Sequence, residues 1–398
     1  MIFPHTTLAL SGERFTVQYQ IRAADADEAR ARAWGVCLEQ TVETPDALLA
    51  NDDIRGQVVG RIEALEAQGE GRYQVRISYA IETTAFELTQ LLNVMFGNTA
   101  MQQGIRVLHL DLPEALLAHF PGPRFGQTGL RNILSIPHRP LLGTALKPVG
   151  LSAKNLADLA HAIALGGVDI IKEDHGFTNQ PFAPFAERVQ RCAEAVNRAN
   201  AQTGYHCLYA PNVTAPADEI LERAHLAKEA GAGAVMIAPG LTGWDALRLL
   251  READDLALPI LSHPALLGTY VASPEQGIAH HVIFGQLPRL AGADATIFVN
   301  YGGRFPFTQA DCQDIVAGAS QPMGAYPAIF PMPGGGMTLE RLPDMHQFYG
   351  DDVIFLVAGG LYAHGPDLQE NARQFRQLAE KIRKNSEVKM QKTSVHDA

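Results

Sequence analysis

At 398 residues the chain is long enough for two domains and a large core, and a hydrophobic fraction of 46% is ordinary for a globular enzyme. The formal net charge of -11 argues against a general nucleic-acid binder or a binder of anionic membranes, because both attract basic surfaces. It leaves room for an anionic small substrate in a locally positive pocket.

The cysteine pattern, the first residues and the lengths of the apolar runs together predict a cytoplasmic protein. The four cysteines are scattered without a CxxC spacing, which is typical of reduced thiols. The first residues lack a basic segment followed by a long apolar one, so no signal peptide is expected. No uncharged apolar run approaches the roughly 20 residues needed to cross a bilayer, so no membrane association is expected.

The first third of the chain mixes two hydrophobic periods. RFTVQYQIRA and RYQVRISYAIE alternate as strands, whereas ADEARARAWGVCLEQ and FELTQLLNVMFGNTA have helical spacing. This order predicts a small α+β domain with an antiparallel sheet, which we place at residues 1–135.

After about residue 139 the pattern becomes a regular repeat of short apolar runs separated by helical segments. The runs are LLGTALKP, VDIIKED, CLYAPNVT, AVMIAPG, PILSHPA, ATIFVN, AIFPMPGG and VIFLVAGG. Eight βα units over roughly 230 residues predict a (β/α)8 TIM barrel, so the fold class is α/β. The barrel is placed at residues 136–384, and a polar tail is expected over residues 385–398.

The second apolar run ends in a cluster of titratable residues. Lys172 and Asp174 are two positions apart in a strand and therefore share one face, while His175 begins the loop. A protonated lysine has no free lone pair and does not bind a cation, whereas the carbamate formed when CO₂ adds to its amine behaves like a carboxylate. Carbamate and Asp oxygens suit Mg²⁺, and His175 suits it less well. An ion pair between Lys172 and Asp174 explains this motif equally well.

Two glycine-rich segments follow the seventh and eighth predicted strands. They are MPGGGM, residues 332–337, and VAGGLYAHG, residues 357–365. TIM barrels often bind phosphate at these loops, where glycine lets the backbone approach an anion closely. Tight βα turns are the simpler alternative, but two such segments at this pair of strands favour a phosphate site.

Three other polar side chains fall at predicted strand ends. Lys147 and His263 are candidate acid/base groups, although a solvated lysine and a structural histidine are simpler alternatives. Arg304 in NYGGRF has the planar group that pairs with phosphate or carboxylate, but a single arginine is more often a surface residue. His280 and His281 are expected on a helix away from the strand ends, without a role.

Taken in this order, these residues resemble ribulose-bisphosphate carboxylase (RuBisCO) large chains, and especially the RuBisCO-like proteins. The strongest segments are LLGTALKPVGLSAKN, GGVDIIKEDHGFTNQPFAPFAERVQRCAEAV and FYGDDVIFLVAGG, and the likeness covers roughly residues 10 to 380. It implies an α+β domain followed by a TIM barrel. It also implies one Mg²⁺ per subunit on carbamylated Lys172, with Asp174 and with His175 in the place of a second carboxylate. Lys147 corresponds to the lysine that moves the substrate proton.

The resemblance also implies a substrate site with one phosphate. Pro264 stands where an arginine grips a second phosphate, and the lysine of the mobile loop has no counterpart, so carboxylation of a bisphosphate is not expected. Active sites shared between the two subunits of a homodimer are implied. The residues assigned to substrate or phosphate binding are Glu39, Thr44, Asn212, Arg304, Gly335, Gly336, Gly359 and Gly360.

The segments KEDHG and NYGGRF look most like members of the family that degrade sugar acids. The expected activity is therefore metal-assisted enolate chemistry on a phosphorylated keto sugar acid, as in 3-oxo-isoapionate-4-phosphate decarboxylase or the related transcarboxylase/hydrolase. The alternatives are a 2,3-diketo-5-methylthiopentyl-1-phosphate enolase and a methylthio-sugar phosphate isomerase. The enolase members of the family favour a lysine base near the helix that corresponds to LTQLLNVMFGN. This segment contains no lysine, which counts against the enolase. A catalytically degenerate ligand-binding protein is the alternative from another class.

Overall fold

The structure is a computed structural model that describes residues 4–50 and 52–394, with side chains as far as residue 382. Its strands are β1 (Arg14–Arg22), β2 (Arg61–Gly69), β3 (Arg72–Ala80), β4 (Ile105–Asp111), β5 (Leu141–Leu146), β6 (Ile170–Glu173), β7 (Leu208–Ala210), β8 (Val235–Ile237), β9 (Ile260–Ser262), β10 (Gly277–Ile278), β11 (Ala295–Val299), β12 (Phe330–Gly334) and β13 (Ile354–Leu356).

The α-helices lie between these strands and after the last of them. They are α1 (Ala26–Glu39), α2 (Leu88–Phe96), α3 (Glu114–Leu117), α4 (Gly126–Leu134), α5 (Ala153–Gly166), α6 (Phe185–Thr203), α7 (Ile220–Glu229), α8 (Pro239–Thr242), α9 (Trp244–Glu252), α10 (Leu287–Ala291), α11 (Gln309–Ser320), α12 (Leu342–Tyr349), α13 (Gly359–Ala363) and α14 (Leu368–Ser394). Over the described part of the chain, none of them is long and apolar enough to cross a membrane.

The N-terminal sheet is built around β1. Alternate residues of this strand, Phe15, Val17, Tyr19 and Ile21, are buried, as the period-two pattern predicts. β1 pairs antiparallel with β3 on one side and with β4 on the other. The predicted α+β domain on an antiparallel sheet is therefore confirmed, with β2 and β4 as strands that the sequence did not single out.

The eight strands of the second sheet coincide with the eight predicted apolar runs. Their order is β7-β6-β5-β13-β12-β11-β9-β8, and all the pairs are parallel. The edge strands meet where Asn212 bridges Met236, whose amide donates to the Pro211 carbonyl at 2.9 Å. The sheet thus curves into a nearly closed barrel, which confirms the predicted fold class.

The barrel interior is filled by side chains from alternate strand positions. Ile170, Leu208, Met236 and Met332 belong to one buried cluster inside it. Helix α4 adds Leu130 and Leu134 to the same cluster and so covers one end of the barrel. The interior is a packed core, and the other end, where the strands finish, is left for a site.

A short segment from the barrel half completes the N-terminal sheet. β10 pairs parallel with β4 through Gly277 and Ile278, giving the strand order β10-β4-β1-β3-β2. Gln286 accepts from the amide of Leu110 at 3.0 Å and donates to its carbonyl at 2.7 Å. The two halves of the chain are therefore joined by backbone hydrogen bonds as well as by apolar packing.

The C-terminal end of the chain is helical further than expected. α14 runs to Ser394, so the segment placed in the polar tail begins inside a helix, and residues 395–398 lie outside the described ones. The boundary between residues 135 and 136 stays a prediction.

A buried ion pair at the start of β6 fixes the amino-terminal side of the barrel. The guanidinium of Arg139 donates to both carboxylate oxygens of Asp169, each at 2.8 Å, and the amide of Leu142 also donates to Asp169 at 2.8 Å. The Arg139 and Asp169 side chains are 5% and 2% exposed. Neither charge reaches water, so Arg139 depends on Asp169 for compensation, whereas Asp169 also has Arg376 3.6 Å from its Oδ1.

Replacing Asp169 by Asn is expected to lower the free energy of unfolding by about 3–5 kcal/mol, because it leaves the buried Arg139 charge without a counter-charge. The measurement is urea denaturation of both proteins. Glu187→Ala is the control, since the Glu187–Arg191 pair is half exposed and contributes less than about 1 kcal/mol. Equal losses in the two variants would contradict the assignment.

Candidate active site

Strand β6 directs its last residues to opposite sides of the barrel wall. Ile170 belongs to the core inside the barrel, and Ile171 to the core between the barrel and its helices. Lys172 therefore faces inward and Glu173 outward. Asp174, the next residue, again lines the cavity at the barrel mouth together with Lys172. The shared face predicted for Lys172 and Asp174 is confirmed.

Glu173 anchors the end of β6 to the surrounding helices. Its carboxylate accepts from Arg188 Nε on α6 at 2.6 Å, from the Tyr209 hydroxyl at 2.6 Å and from the Asn212 amide at 2.9 Å. The side chains of Glu173 and Arg188 are fully buried. Burial opposes the charge on Arg188, but the neighbouring Glu173 carboxylate raises its pKa above the usual value. Arg188 is thus held in its charged form beside Glu173.

Lys147 joins the cluster from the end of β5. Its ammonium lies 3.0 Å from Asp174 Oδ2, while Asp174 Oδ1 accepts from the Gly176 amide at 3.0 Å and lies 3.4 Å from His175 Nδ1. Burial opposes ionisation of Asp174, but the Gly176 amide and the Lys147 ammonium outweigh it and lower the pKa of that carboxyl. Asp174 is therefore a carboxylate shared by a cation and a histidine.

His263 stacks on His175 at the end of β9. The two ring centroids are 4.5 Å apart, with an angle of 19° between the ring planes. Burial, and then the Lys172 charge, lower the pKa of His263 well below the usual value for histidine. Its Nδ1 accepts from the Ala265 amide at 3.2 Å, so the ring proton is carried by Nε2. His263 is thus a neutral imidazole.

Lys172 is the buried cation of the site. It is 2% exposed, its ammonium donates to the Glu173 carbonyl at 2.9 Å, and burial lowers its pKa to about 8. A larger share of this side chain is therefore the neutral amine than for a solvated lysine. The neutral amine is the form that adds CO₂ to give a carbamate.

The donor set decides whether a divalent cation fits here. Among the described residues, no group of three or more His, Cys, Asp or Glu side chains is arranged to hold a metal ion. Asp174 and His175 supply two adjacent donors, and Lys172 lines the same cavity. The set fits a divalent cation when Lys172 carries a carbamate, with one nitrogen ligand among oxygens.

One cavity of about 1310 Å³ connects this cluster with the predicted phosphate loops. Its wall includes Gly335 and Gly336 after β12, and Gly359 and Gly360 after β13. A Cβ at Gly360 would lie 2.1 Å from the Met337 carbonyl, so only glycine fits there. Exposed Arg304 lines the cavity from the loop after β11, with its guanidinium 4.9 Å from the Phe305 ring centroid.

Three predicted substrate-binding residues lie outside this cavity. Asn212 is buried. Its side-chain amide Nδ2 donates to the backbone carbonyls of His175 at 3.1 Å and Phe177 at 2.9 Å, so it positions the loop after β6. Glu39 accepts from Asn98 at 3.0 Å in the N-terminal domain. Thr44 lines a separate cavity of about 190 Å³. Contact of these three residues with substrate stays a prediction. For Glu39 and Thr44 the predicted contact is with substrate in the cavity of the other subunit of a homodimer.

The cavity also contains polar residues that the sequence did not suggest. His280 lines it, although it was expected away from the strand ends, and so do Arg106 and Asp311. His280 is helical, as expected, but the expectation that it lies away from the strand ends was wrong, because the segment before it leaves the barrel to pair with β4. No short-range pattern marks that excursion, since β10 contains two residues.

Comparison with known proteins gives consistent relatives. The catalytic domain of the ribulose bisphosphate carboxylase large chain matches residues 126–396. A ribulose bisphosphate carboxylase-like protein of Rhodopseudomonas palustris is 42% identical, over 91% of this chain and 96% of that one. A 5-methylthioribulose-1-phosphate isomerase of Rhodospirillum rubrum is 38% identical over 91% and 95%.

A more distant relative and a solved structure extend the comparison. A 2,3-diketo-5-methylthiopentyl-1-phosphate enolase of Geobacillus thermodenitrificans is 32% identical, over 86% of each chain. The crystal structure of a Rubisco-like protein from Rhodopseudomonas palustris superposes with a TM-score of 0.82, at 38% identity, over 92% of this chain and 97% of that one. The similarity therefore covers both the N-terminal domain and the barrel.

Replacing Glu173 by Gln is expected to lower the free energy of unfolding by about 3 kcal/mol or more, because Arg188 would be buried without its counter-charge. Tyr209→Phe removes one hydrogen bond and leaves the ion pair, so a loss of about 1–2 kcal/mol is expected. Urea denaturation measures both. A Glu173→Gln protein no less stable than Tyr209→Phe would contradict the proposed anchor.

Proposed function

The chain belongs to the ribulose bisphosphate carboxylase large chain family, and on that premise we propose that it is a RuBisCO-like isomerase of methylthio-sugar phosphates. It would move a proton between neighbouring carbons of a phosphorylated ketose. One observation carries the proposal: Lys147, Lys172, Asp174, His175 and His263 line the same cavity as the glycine loops. Acid/base groups and the glycine loops thus line one cavity, where one substrate would meet both.

The relatives favour this activity over the sugar-acid decarboxylase expected from KEDHG and NYGGRF. Those reported above with a named activity are an isomerase and an enolase, and neither is a decarboxylase. The enolase is also less favoured by the sequence, because helix α2 contains no lysine. A non-catalytic ligand-binding protein does not explain why a buried lysine, a carboxylate and a neutral imidazole converge on the cavity.

The substrate has one phosphate in this proposal. The glycine loops after β12 and β13 offer backbone groups to it. Pro264, which lines the cavity next to His263, has no charge to bind a second phosphate. Arg304 is exposed and lines the cavity, where its positive charge attracts the anionic substrate.

Lys147 is the residue assigned to the proton transfer. It lies at the cavity wall within 3.0 Å of Asp174, so its Nζ is both positioned and supplied with a carboxylate partner. In isomerisation Lys147 Nζ would take the proton from one carbon as the free amine and return it to the neighbouring carbon as the ammonium, so a single group above both carbons serves both steps. His263, which is neutral and buried, lines the same wall and bears the Nε2 hydrogen as a donor to a substrate oxygen.

A carbamate on Lys172, with Asp174 and His175, would hold the divalent cation that the family implies. Bound there, the cation would supply Lewis-acid stabilisation of the negative charge that develops on the substrate's oxygens. Glu173 and Asn212 act behind this set. They fix the end of β6 and the backbone of residues 175 and 177, so that Asp174 and His175 keep their positions.

A homodimer belongs to the same proposal. Glu39 and Thr44 do not reach the cavity of their own chain, and the cavity is open on one side. A second subunit that presents its N-terminal domain to this opening would complete the site with those residues and exclude water from it.

Incubation with ¹³C-bicarbonate and Mg²⁺ is expected to give a carbamate signal in the NMR spectrum of the protein, together with activity on 5-methylthioribulose 1-phosphate. Lys172→Ala is expected to lose both, because no amine remains at the cluster. Lys154→Ala should keep both, since Lys154 is exposed and pairs with Asp158 on α5. A carbamate signal that persists in Lys172→Ala would refute the ligand set.

Replacing Lys147 by Arg is expected to lower kcat by about 10²–10⁴-fold, because the guanidinium keeps the pair with Asp174 but does not exchange protons. Deuterium incorporation from D₂O into the ketose phosphate measures the proton transfer directly. Stability should change little. Incorporation at the wild-type rate would exclude Lys147 as the proton carrier and leave His263 as the candidate.

A further inference from the structure

The end of β5, which carries Lys147, is paired differently on its two sides. On one side β6 pairs with β5 as far as the last residue of both strands. On the other side β13 ends at Leu356, and the Val357 amide makes the last rung of the ladder by donating to the Gly143 carbonyl at 2.8 Å. The backbone of β5 beyond Gly143 therefore needs another partner on that side.

The hydroxyl of Tyr362 supplies that partner. Residues two apart in a strand direct their backbone groups to the same side, so Ala145 and Lys147 face the β13 side as Gly143 does. The Tyr362 hydroxyl donates to the Ala145 carbonyl at 3.1 Å, and the backbone amide of Lys147 hydrogen-bonds the same hydroxyl. One phenol thus takes the place of the next rung of the ladder.

The environment of Tyr362 keeps its hydroxyl in the form that donates. The side chain is partly buried and packs against the main core. Burial raises the pKa of Tyr362 to about 12, although the amide of Lys147 opposes this shift. The hydroxyl therefore keeps its proton at neutral pH and stays a donor to the Ala145 carbonyl.

The same tyrosine belongs to the second of the two glycine loops. It lies in α13, which begins at Gly359, and Gly359 and Gly360 line the main cavity. The Met337 carbonyl lies so close to Gly360 that a Cβ there would be 2.1 Å from it. α13 thus rests directly on the glycine-rich segment after β12, and Tyr362 follows this contact by two residues.

The rest of α13 is fixed to α14. Asn371 is 3% exposed, and its Nδ2 donates to the carbonyls of Leu361 and Gly365, each at 2.9 Å. The body of α13 is therefore held in place. The glycines at its start have the freest backbone, so they are the part of the helix that a bound anion would order most.

We propose that Tyr362 is a positioning residue that couples an anion on the glycine loops to the placement of Lys147 for proton transfer. The link runs from Gly360 through Tyr362 to the Ala145 carbonyl and the Lys147 backbone. The proposal rests on the proposed function for the phosphate site and for the role of Lys147. Binding of the phosphate, which does not react, would then help to fix the group that does.

The first test is hydrogen exchange of the Lys147 amide, measured by mass spectrometry on peptides of the full-length protein with and without inorganic phosphate. Phosphate is expected to slow this exchange about tenfold in the wild type, because order in the loops stabilises the hydrogen bond to Tyr362. In Tyr362→Phe the exchange should be faster and should not respond to phosphate. This measurement needs no turnover.

The second test is deuterium incorporation from D₂O into 5-methylthioribulose, the ketose without its phosphate, in Mg²⁺ and bicarbonate. Inorganic phosphate is expected to activate the wild type about tenfold and Tyr362→Phe by less than about twofold. With 5-methylthioribulose 1-phosphate, Tyr362→Phe should lower kcat about tenfold and leave KM within about twofold, because the contacts to the phosphate remain. A general loss of structure would not give this split.

Tyr326→Phe is the matched control. Tyr326 is also partly buried, and its hydroxyl also donates to a backbone carbonyl, that of Phe120 at 2.8 Å, but these residues lie before β12 and after α3, away from β5 and α13. This variant should keep both responses to phosphate. In both variants the aromatic ring remains, so the packing around it is retained.

A Lys147 amide whose exchange does not respond to phosphate in the wild type would overturn the coupling. So would activation by phosphate that survives in Tyr362→Phe, or that is lost equally in Tyr326→Phe. If Tyr362→Phe isomerises the ketose phosphate with the kcat of the wild type, the coupling fails while the proposed function stands. If phosphate slows the exchange only when Tyr362 is present, but no ketose phosphate is isomerised, the proposed function fails while the coupling stands.

Discussion

The buried pair between Glu173 and Arg188 is the interaction on which the site depends. Adjacent residues of a strand point to opposite sides, so anchoring Glu173 in the helix layer obliges Lys172 and Asp174 to face the barrel interior. A slip of one residue would exchange the buried carboxylate for Lys172 and bury an unpaired charge. The same carboxylate also holds the amide of Asn212, whose side chain fixes the next loop. One ion pair thus sets the register of every residue at this strand end.

Most of the fold could be predicted because its signals are local. Each barrel strand is a short run buried on both faces, and all eight were recognisable as apolar runs that end in polar or glycine residues. β2 escaped recognition because it is mostly exposed and lacks the alternation that marked β1 and β3. β10 has two residues and is a strand only because β4 lies beside it. Pairing between segments distant in sequence is what local periodicity does not contain.

The residues of the site likewise fall into those that local sequence signals predict and those that depend on long-range contacts. Lys147, Lys172, Asp174, His175 and His263 follow strand ends, so the fold class alone brings them to one mouth. Arg106 comes from the other domain, and its place in the cavity depends on how β4 is joined to β10. Asn212 also follows a strand, yet it is turned into the wall by two backbone carbonyls. Knowing that a residue lies at a strand end therefore gives its neighbourhood, whereas its orientation is decided by long-range hydrogen bonds.

The resemblance to RuBisCO large chains implies a carboxylate where this chain has His175, and the charges around this position show the electrostatic consequence of the difference. Although the chain as a whole is acidic, the cavity mouth combines Lys147 and Arg304 with a single unmodified carboxylate on the inner face of β6, because Glu173 is turned outward. Burial, only partly opposed by Asp174, lowers the pKa of His175 and keeps it largely neutral. A neutral imidazole at position 175 leaves the mouth more positive than a carboxylate there would, with or without a carbamate on Lys172. That local potential favours an anionic ligand, in spite of the negative charge of the chain as a whole, and it is consistent with the phosphorylated substrate and enolate chemistry proposed above.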